Sequence, residues 1–305
     1  MNELPDLDAR QHGIPFELYD SFATRRFGGN VAGVVVTKTP MAPSLMQDIA
    51  SELGAPTTGF AHAGSGRPVS IRFFTPRQEI DACGHVTVAV ATAMVKRGTW
   101  RTSRGRVRAS TPAGPLSIFL RSAASPCPPR RATLIGLAYH PRPLEPGRIT
   151  REHVESALTV PVDPGLPTEV VWTGLRHLIV PVGSPQALAR IAPSEAALTT
   201  LATSCGADTI CVFARLGAHL VRMRDFCAPI GALEEPASGT TSAALADYLT
   251  RHTAPAEPAM VTIEQGAEMG RPSRIDVYVE TMNGQPRATV WGSAIQTAIG
   301  TVFPA

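Results

Sequence analysis

Hydrophobic and polar positions follow short, distinct patterns along the chain, and each pattern predicts one element. Val69, Ile71 and Phe73 alternate with polar residues, which predicts a strand with one buried face. The segment Pro43 to Gly54 has apolar residues at helical spacing and closes on a glycine, which predicts a helix with Gly54 just past its C-terminus. Short elements like these, together with 28 prolines and 26 glycines, indicate a mixed fold with many turns.

Two segments predict buried helices. Val86 to Arg97 is apolar nearly all round and is followed by Gly98, and Thr240 to His252 is rich in alanine and ends in charged residues. The other predicted elements are a strand, tight turn and strand over Phe16 to Thr37, strands at Arg176 to Val182 and Thr209 to Phe213, and a short helix at Ser184 to Ile191. Their order repeats on either side of the proline-rich segment Ser122 to Arg131, which is therefore the expected linker.

Composition narrows the class of protein. A chain of 305 residues with 44% hydrophobic residues has the length of about two domains. The net charge of +3 is spread along the sequence, which argues against nucleic acid as a partner, and no apolar run is long enough to cross a membrane. Five cysteines without a C-x-x-C pair favour reduced thiols, so a cytoplasmic protein is expected.

An internal repeat relates the stretch Arg72 to Ala91 to the stretch Arg224 to Ala246. Each stretch contains Arg-x-Phe, a proline, a glutamate, and then a small Cys or Ser followed by glycine. The matched residues are Arg72 and Arg224, Phe74 and Phe226, Glu79 and Glu234, Cys83 and Ser238, Gly84 and Gly239, and Thr87 and Ser242. A glycine turn that leads into a helix presents backbone N–H groups and a positive dipole end, so each copy predicts an anion-binding helix start.

The side chains beside the two glycines are the candidate site residues. They are Cys83 and His85 in the first copy, and Glu235, Ser238 and Thr240 in the second. Two facing helix starts would suit a substrate that carries a carboxylate and develops negative charge. The alternative is that Gly84 and Gly239 are ordinary turn glycines and that Cys83 is a small buried filler.

Several blocks of sequence carry a family resemblance. They are Tyr19-Asp20-Ser21-Phe22, Phe27-Gly28-Gly29-Asn30-Val31-Ala32-Gly33, Ile71-Arg72-Phe73-Phe74-Thr75-Pro76 through Cys83-Gly84-His85-Val86-Thr87, and Glu234-Glu235-Pro236-Ala237-Ser238-Gly239-Thr240. With these blocks the chain resembles the PhzF-like (phenazine-biosynthesis) family, within the larger group of diaminopimelate-epimerase-like folds. The resemblance extends over nearly the whole chain.

The resemblance implies an α+β fold with two similar lobes. Each lobe would be a curled, mostly antiparallel sheet around a central helix, with the active site between the lobes. The expected N-terminal lobe is 1–125, completed by about 293–305, and the expected C-terminal lobe is 126–292. A homodimer and a proton shift without metal or organic cofactor are also implied, and the eight histidines show no zinc-ligand spacing.

The chain departs from the family pattern at the reactive positions. The family's usual acid/base glutamate falls on Thr57, and the usual aspartate of the second block is Glu235. A threonine hydroxyl is not a base at neutral pH unless it is activated. Two explanations remain. Either another residue carries the proton, with Glu235 as the first candidate and His85 or Cys83 as the second carrier, or the chain has lost catalysis and binds a ligand.

Cys83 has its own alternative. In the epimerase and racemase relatives a cysteine at this position is one of two catalytic thiols, whereas its counterpart here is Ser238. This difference argues against a symmetrical two-thiol epimerase.

The sequence thus predicts an isomerase for specialised metabolism. It would catalyse an allylic (1,3) proton shift on a small unsaturated amino or carboxylic acid, with an alkyl-dehydroproline antibiotic precursor as one substrate. The residues expected to bind and orient the substrate are Asn30, Thr57, Gly84, Ser238, Gly239 and Thr240. The alternatives are a phenazine-type dihydro-hydroxyanthranilate isomerase and a catalytically silent member that binds a small ligand.

Overall fold

The computed structural model describes residues 13–64, 68–124, 131–145, 149–253 and 259–304. Two compact units divide the chain: the first contains 1–21, 31–135 and 293–305, and the second contains 22–30 and 136–292. The expected lobe boundary at 125/126 and the prolines of the expected linker lie outside the described residues.

The first unit combines strands with two α-helices. Its strands are β1 (Ile14–Ser21), β2 (Asn30–Thr37), β3 (Thr57–His62), β4 (Val69–Phe74), β5 (Glu79–Ile80), β6 (Arg106–Thr111), β7 (Gly114–Ala124) and, near the C-terminus, β18 (Ala294–Val302). Its helices are α1 (Pro43–Leu53), α2 (Gly84–Lys96) and a 3₁₀ turn (Thr102–Arg104). The predicted helix near Pro43 is confirmed, and Gly54 ends it in the left-handed conformation with φ of 61°.

The second unit has the same mixture of elements. Its strands are β8 (Arg131–Tyr139), which begins in the first unit, β9 (Arg142–Leu144), β10 (Glu169–Trp172), β11 (Arg176–Pro181), β12 (Thr209–Arg215), β13 (Leu220–Cys227), β14 (Ala232–Glu235), β15 (Ala259–Gln265), β16 (Ser273–Met282) and β17 (Gln285–Gly292). Its helices are α3 (Arg151–Leu158), α4 (Pro185–Arg190), α5 (Glu195–Cys205), a 3₁₀ turn (Ala228–Ile230) and α6 (Gly239–Thr253).

Strand pairing follows one scheme in both units. In the first, β2 and β3 run parallel, β3 pairs antiparallel with β4, β4 pairs antiparallel with β5 and parallel with β6, and β6 pairs antiparallel with β7. In the second, β11 to β16 repeat these pairings strand for strand. The expected α+β fold with two similar parts is therefore confirmed, and most of the pairings are antiparallel.

Each unit has its sheet packed around one buried helix. Helix α2 packs on β1, β3 and β18, and helix α6 packs on β10, β11, β15, β16 and β17. The residues of α2 from Val86 to Met94 are all buried, which explains why this helix is apolar all round. Gly59 on β3 allows the close approach, because a Cβ there would lie 2.5 Å from Val86 Cγ1. Burial of each valine side chain stabilises the fold by about 1.5–3 kcal/mol.

A further apolar cluster lies in each unit, on the side of the strands away from the buried helix. Helix α1 packs Met46 and Ile49 against Phe60 and Phe74 in the first unit. In the second unit, helices α3, α4 and α5 supply Leu158, Leu188 and Leu201 to a larger cluster that includes Phe226. Strand β13, which carries the start of the second copy of the sequence repeat, is therefore largely buried, whereas β14 keeps some exposure.

Candidate active site

The shared residues of the repeat form the same contact twice. Arg72 donates to both carboxylate oxygens of Glu79, at 2.7 and 2.6 Å, and its guanidinium carbon lies 5.3 Å from the centre of the Phe74 ring. Arg224 donates to Glu234 at 2.9 and 2.7 Å and lies 4.8 Å from the Phe226 ring. The repeated Arg, Phe and Glu thus build a forked ion pair that holds each hairpin.

The helix that follows each hairpin also begins in the same way. Thr87 Oγ1 donates to the carbonyl of Cys83 at 2.7 Å, and Ser242 Oγ donates to the carbonyl of Ser238 at 2.6 Å. The matched hydroxyls therefore support the first turn of α2 and α6.

Glu235 is the last residue of β14, directly before the turn that starts α6. Its carboxylate accepts a hydrogen bond from the side-chain amide of Asn30, which also donates to the carbonyl of Ala237 at 3.1 Å. Asn30 is buried, and Glu235 is partly exposed. The amide therefore fixes the direction of a carboxylate that keeps some access to its surroundings.

The turn from Glu235 to Ser238 is held by side chains from the end of β15 and the start of β16. Gln265 donates to the carbonyl of Glu235 at 2.6 Å and accepts from the backbone N–H of Ser238 at 3.0 Å. Ser273 Oγ lies 3.0 Å from the carbonyl of Pro236, to which it donates. Both side chains are buried, so the turn has little freedom to move the carboxylate.

The segment that delivers Asn30 is also anchored. Arg271 donates from Nε to the carbonyl of Gly29 and from a terminal nitrogen to the carbonyl of Gly28, both at 2.8 Å. A side chain at Gly28 would place its Cβ 2.6 Å from the carbonyl oxygen of Pro272, so this approach requires glycine. Asn30 is therefore positioned by backbone contacts on its N-terminal side.

Burial changes the proton affinity of Glu235. Burial raises the pKa of the Glu235 carboxyl, and the hydrogen bond from Asn30 lowers it by a smaller amount. A carboxyl with a raised pKa accepts a proton more readily than an ordinary carboxyl, which suits a group that must both take and return one.

Hydroxyl groups surround the start of α6. Ser238 Oγ accepts from the backbone N–H of Thr241 at 3.3 Å, which caps the helix, and it also lies 3.2 Å from Thr240 Oγ1 and 2.8 Å from Thr241 Oγ1. Gly239 is buried between these residues. The structure therefore brings together Asn30, Glu235, Ser238, Gly239 and Thr240, all of which the sequence had selected.

The first unit contains the other selected group at the start of α2. Cys83 Sγ lies 3.4 Å from His85 Nδ1, and Ser21 Oγ donates to the carbonyl of His85 at 2.7 Å. Burial lowers the pKa of His85 to about 4, against a smaller raising effect of a hydrogen bond with the Val31 backbone. A neutral imidazole can accept a hydrogen bond at pH 7, but it does not supply the positive charge that stabilises a thiolate.

Thr57 begins β3 and is buried, with Ala32 of β2 beside it in the parallel register. In the second unit the same position of the pairing scheme is occupied by Thr209, which lies beside His177. Gly84 is the first residue of α2.

Sequence reasoning missed a buried polar cluster behind Glu235. Its members are His177, Thr209, Asp225 and Thr241, all of them buried. His177 Nδ1 lies 2.8 Å from Thr209 Oγ1 and 3.2 Å from Thr241 Oγ1, and Thr241 donates to Asp225 at 2.6 Å. Burial lowers the pKa of His177 to about 3. It raises the pKa of Asp225 to about 7, and the nearby hydroxyls of Thr241, Thr209 and Ser238 limit that rise.

In the described part of the chain, no group of three or more His, Cys, Asp or Glu side chains is arranged to hold a metal ion. Among the same residues, no helix has both the length and the apolar character needed to cross a membrane.

Comparison with known proteins assigns the family. The family model described as "Phenazine biosynthesis-like protein" (PhzC-PhzF) matches residues 19–300. The chain belongs to this family. The match includes every candidate residue of the PhzC-PhzF site described above.

Two relatives illustrate the similarity of the sequence. It is 30% identical to an Escherichia coli (strain K12) protein named "Uncharacterized isomerase YddE", over 90% of this chain and 94% of that protein. It is 27% identical to the trans-2,3-dihydro-3-hydroxyanthranilate isomerase of Pseudomonas fluorescens, over 94% of this chain and 98% of that protein. The relatives of this PhzC-PhzF chain are named as isomerases, and the chain is an isomerase.

Solved structures share the fold. A PhzF-family phenazine biosynthesis protein from Bacillus anthracis matches with a TM-score of 0.85 at 24% identity, over 95% of this chain and 98% of that one. A hydroxyproline epimerase from Agrobacterium vitis matches with a TM-score of 0.62 at 12% identity, over 95% of this chain and 92% of that one. The PhzC-PhzF chain therefore has the fold that these two proteins share.

Proposed function

We propose that this protein is a cofactor-independent isomerase that catalyses an allylic (1,3) proton shift on a small unsaturated amino or carboxylic acid. The observation that carries the proposal is the Glu235 carboxyl, which is aimed by Asn30, has a raised pKa and adjoins the start of α6. The family assignment supports the reaction class, because members are named as isomerases.

In the proposed mechanism Glu235 acts first as a base and then as an acid. Its carboxylate takes the proton from an allylic C–H bond of the substrate, and the electron pair of that bond moves to form the new double bond. The old double bond opens at its far carbon, which accepts the proton that Glu235 returns. No proton, electron or group is gained or lost overall. General acid–base catalysis of this kind supplies about 10²- to 10⁴-fold in rate.

The start of α6 has the proposed role of binding the substrate's carboxylate. Backbone N–H groups and the positive end of the helix dipole attract an anion there, and Ser238, Gly239 and Thr240 supply that start. The same groups would stabilise the negative charge that develops when the proton leaves carbon.

The proposed substrate is an unsaturated acid other than the phenazine intermediate, such as an alkyl-dehydroproline precursor of an antibiotic. Two departures from the family pattern motivate this choice: Thr57 stands where the family has its usual glutamate, and Glu235 is one methylene longer than the usual aspartate. Both changes alter the reactive groups while the scaffold contacts described above are kept.

A second candidate is isomerisation of trans-2,3-dihydro-3-hydroxyanthranilate. It is favoured by the relative from Pseudomonas fluorescens that is named for this reaction and is 27% identical over 94% of this chain. The two candidates share the proton shift and differ in the ring that carries it.

We further propose that the protein works in the cytoplasm as a homodimer and takes a small acid as its partner. These points rest on the cysteine usage and on the family likeness. Sedimentation of the purified protein measures the oligomeric state directly.

Proton exchange in heavy water tests the proposed reaction. Purified protein is incubated with a panel of unsaturated cyclic amino acids and dihydro-hydroxyanthranilate, and NMR measures deuterium entering at carbon. Glu235→Gln is expected to lower the exchange rate by about 10²- to 10⁴-fold, because the amide cannot accept the proton.

The control is Glu195→Gln, which changes an exposed glutamate in the first turn of α5. It is expected to exchange at the wild-type rate. Full exchange by Glu235→Gln would show that another group, with His85 and Cys83 as the next candidates, carries the proton. Ligand-induced shifts without exchange across the panel would instead identify a silent binding protein.

A further inference from the structure

Three side chains lie in one row across the sheet beneath α6. Cys211 of β12 is directly opposite Asp225 of β13, and Asp225 is directly opposite Glu235 of β14. Directly opposed residues of antiparallel strands point to the same face, with Cβ atoms about 4.5–5.5 Å apart. The two carboxyl groups are therefore neighbours on the face that also receives Thr241 from α6.

The first unit provides an internal comparison for this row. The forked ion pairs align Glu79 with Glu234, and the register then aligns Phe73 with Asp225, Ile80 with Glu235 and Gly59 with Cys211. Thr241 aligns with Val86, since both are the third residue of the helix. The first copy thus has apolar residues where the second has two carboxyls and a hydroxyl, and the hairpin does not require acids to fold.

Asp225 also lacks the partners that a buried carboxylate usually has. One oxygen accepts from Thr241, while within the described residues the other is buried without a hydrogen bond. A carboxylate in such surroundings is costly unless its charge is neutralised or stabilised by nearby groups. Besides Thr241, the hydroxyls of Thr209 and Ser238 also favour the charged form of Asp225.

We propose that Asp225 is a positioning residue that shares one proton with Glu235, so that the two side chains titrate as a coupled carboxyl pair during the proton shift. This proposal rests on the proposed function of Glu235. In this proposal Asp225 does not contact the substrate. Its role is to determine the pH range in which Glu235 holds a proton.

The electrostatic surroundings support the pairing. Burial raises the pKa of both carboxyls, and the charge of Glu235 raises that of Asp225 further. The other titratable groups near Asp225 are Cys211, Cys227 and His177, whose pKa shifts leave the two thiols protonated and the imidazole neutral at pH 7. Among the described residues, none of these three groups supplies a positive charge to neutralise the pair. The two carboxyls therefore lower their total negative charge by retaining one proton.

Titration by carboxyl ¹³C NMR tests the pair without relying on catalysis. In the wild-type protein Glu235 is expected to titrate in two steps, because its proton affinity depends on the charge of Asp225. In Asp225→Asn it is expected to titrate in a single step, because the residue beside it no longer changes charge. An unchanged Glu235 titration in Asp225→Asn would overturn the proposal, even if Glu235→Gln is inactive.

A reciprocal variant covers the case in which Asp225→Asn does not fold. In Glu235→Gln, the titration midpoint of Asp225 is expected to fall, because the Glu235 charge that raises the pKa of Asp225 is gone. An Asp225 titration that ignores this change would also overturn the pairing.

The pH dependence of kcat/KM tests the role in the reaction. Wild-type exchange is expected to show two linked ionisations, and Asp225→Asn to show one, displaced to lower pH. Cys211→Ala is the matched control, because Cys211 is the other cross-strand neighbour of Asp225 and changes packing without changing charge. A profile for Cys211→Ala that is displaced like that of Asp225→Asn would attribute the effect to packing and overturn the proposal.

Discussion

Among single residues, the clearest electrostatic cost lies at Asp225. Its carboxyl is buried, and its pKa is raised from 3.8 to about 7 because burial penalises the charged form. The folded protein therefore binds a proton that the unfolded chain has released between these pH values. The stability contributed by this group is fully present below pH 3.8 and is lost as the pH rises through about 7.

Asp225→Asn should remove this pH dependence. The free energy of unfolding of wild type minus that of Asp225→Asn is expected to fall as the pH rises from 3.8 to about 7. Taking the difference cancels the buried histidines, whose lowered pKa values act in the opposite direction. Urea unfolding across this range measures both curves, with exposed Asp81→Asn as the control. Parallel curves for wild type and Asp225→Asn would contradict the assignment.

Individual site residues were predictable to different degrees. Asn30, Glu235, Ser238 and Thr240 were found from the motif, and the structure places them together. Asp225 was missed because the comparison of the two copies used only matched residues, and Asp225 is the unmatched middle residue of Arg-x-Phe. Its contrast with Phe73 was the available signal. The burial that gives Asp225 its chemistry depends on strand register, which the sequence did not provide.

At the level of elements, the two hairpins hold the same ion pair in different surroundings. The side chains of Arg72 and Glu79 are 29% and 32% exposed, whereas those of Arg224 and Glu234 are both 10% exposed. Arg224 also donates to the carbonyl of Ile191 at 2.6 Å, which ties the hairpin to the end of α4. Removal of one partner is therefore expected to cost more stability in the second ion pair than in the first.

Removal of the arginine is expected to destabilise the protein to a different extent in each hairpin. Arg224→Ala should lower the free energy of unfolding by about 3–5 kcal/mol, because it leaves Glu234 nearly buried and unpaired. Arg72→Ala should lower it by at most about 1 kcal/mol, because water reaches its partner. Chemical denaturation of both variants gives the comparison. Equal losses would mean that burial does not decide the strength of these pairs.

Elements were predicted well where a pattern was long or ended in a clear signal. The two buried helices, the helix near Pro43 and the strand Val69–Phe74 were expected from their periodicity and are confirmed. The repeat is also present in the structure, which adds a role that the sequence did not predict, while the anion-binding helix starts stay a prediction. The repeated glutamates Glu79 and Glu234 serve the scaffold, and the residue after each of them distinguishes the two copies.

For the whole molecule, the family assignment identifies an isomerase, and the structure divides it into two units of like topology. The alternating parallel and antiparallel pairings could be obtained only through the resemblance, because hydrophobic patterns locate strands without naming their partners. The sequence repeat indicated that the two halves would match, which the pairings confirm.

The proposed chemistry predicts that chelators have no effect. Dialysis against EDTA is expected to leave the heavy-water exchange rate unchanged, because a carboxyl with a raised pKa and a helix start provide the base and the anion site. Exchange rates before and after dialysis measure this on the intact protein. A loss of rate that added zinc or magnesium restores would show that a metal takes part.

The forked ion pairs have a further meaning for the history of such enzymes. Each ion pair holds its hairpin through an arginine and one glutamate. The next residue, Ile80 in one hairpin and Glu235 in the other, takes no part in that ion pair. A duplicated half can therefore exchange an apolar residue for an acid, or the reverse, without rebuilding its support. In evolutionary terms, the position after each anchoring glutamate can change between an apolar residue and an acid while the ion pair that supports the hairpin is retained.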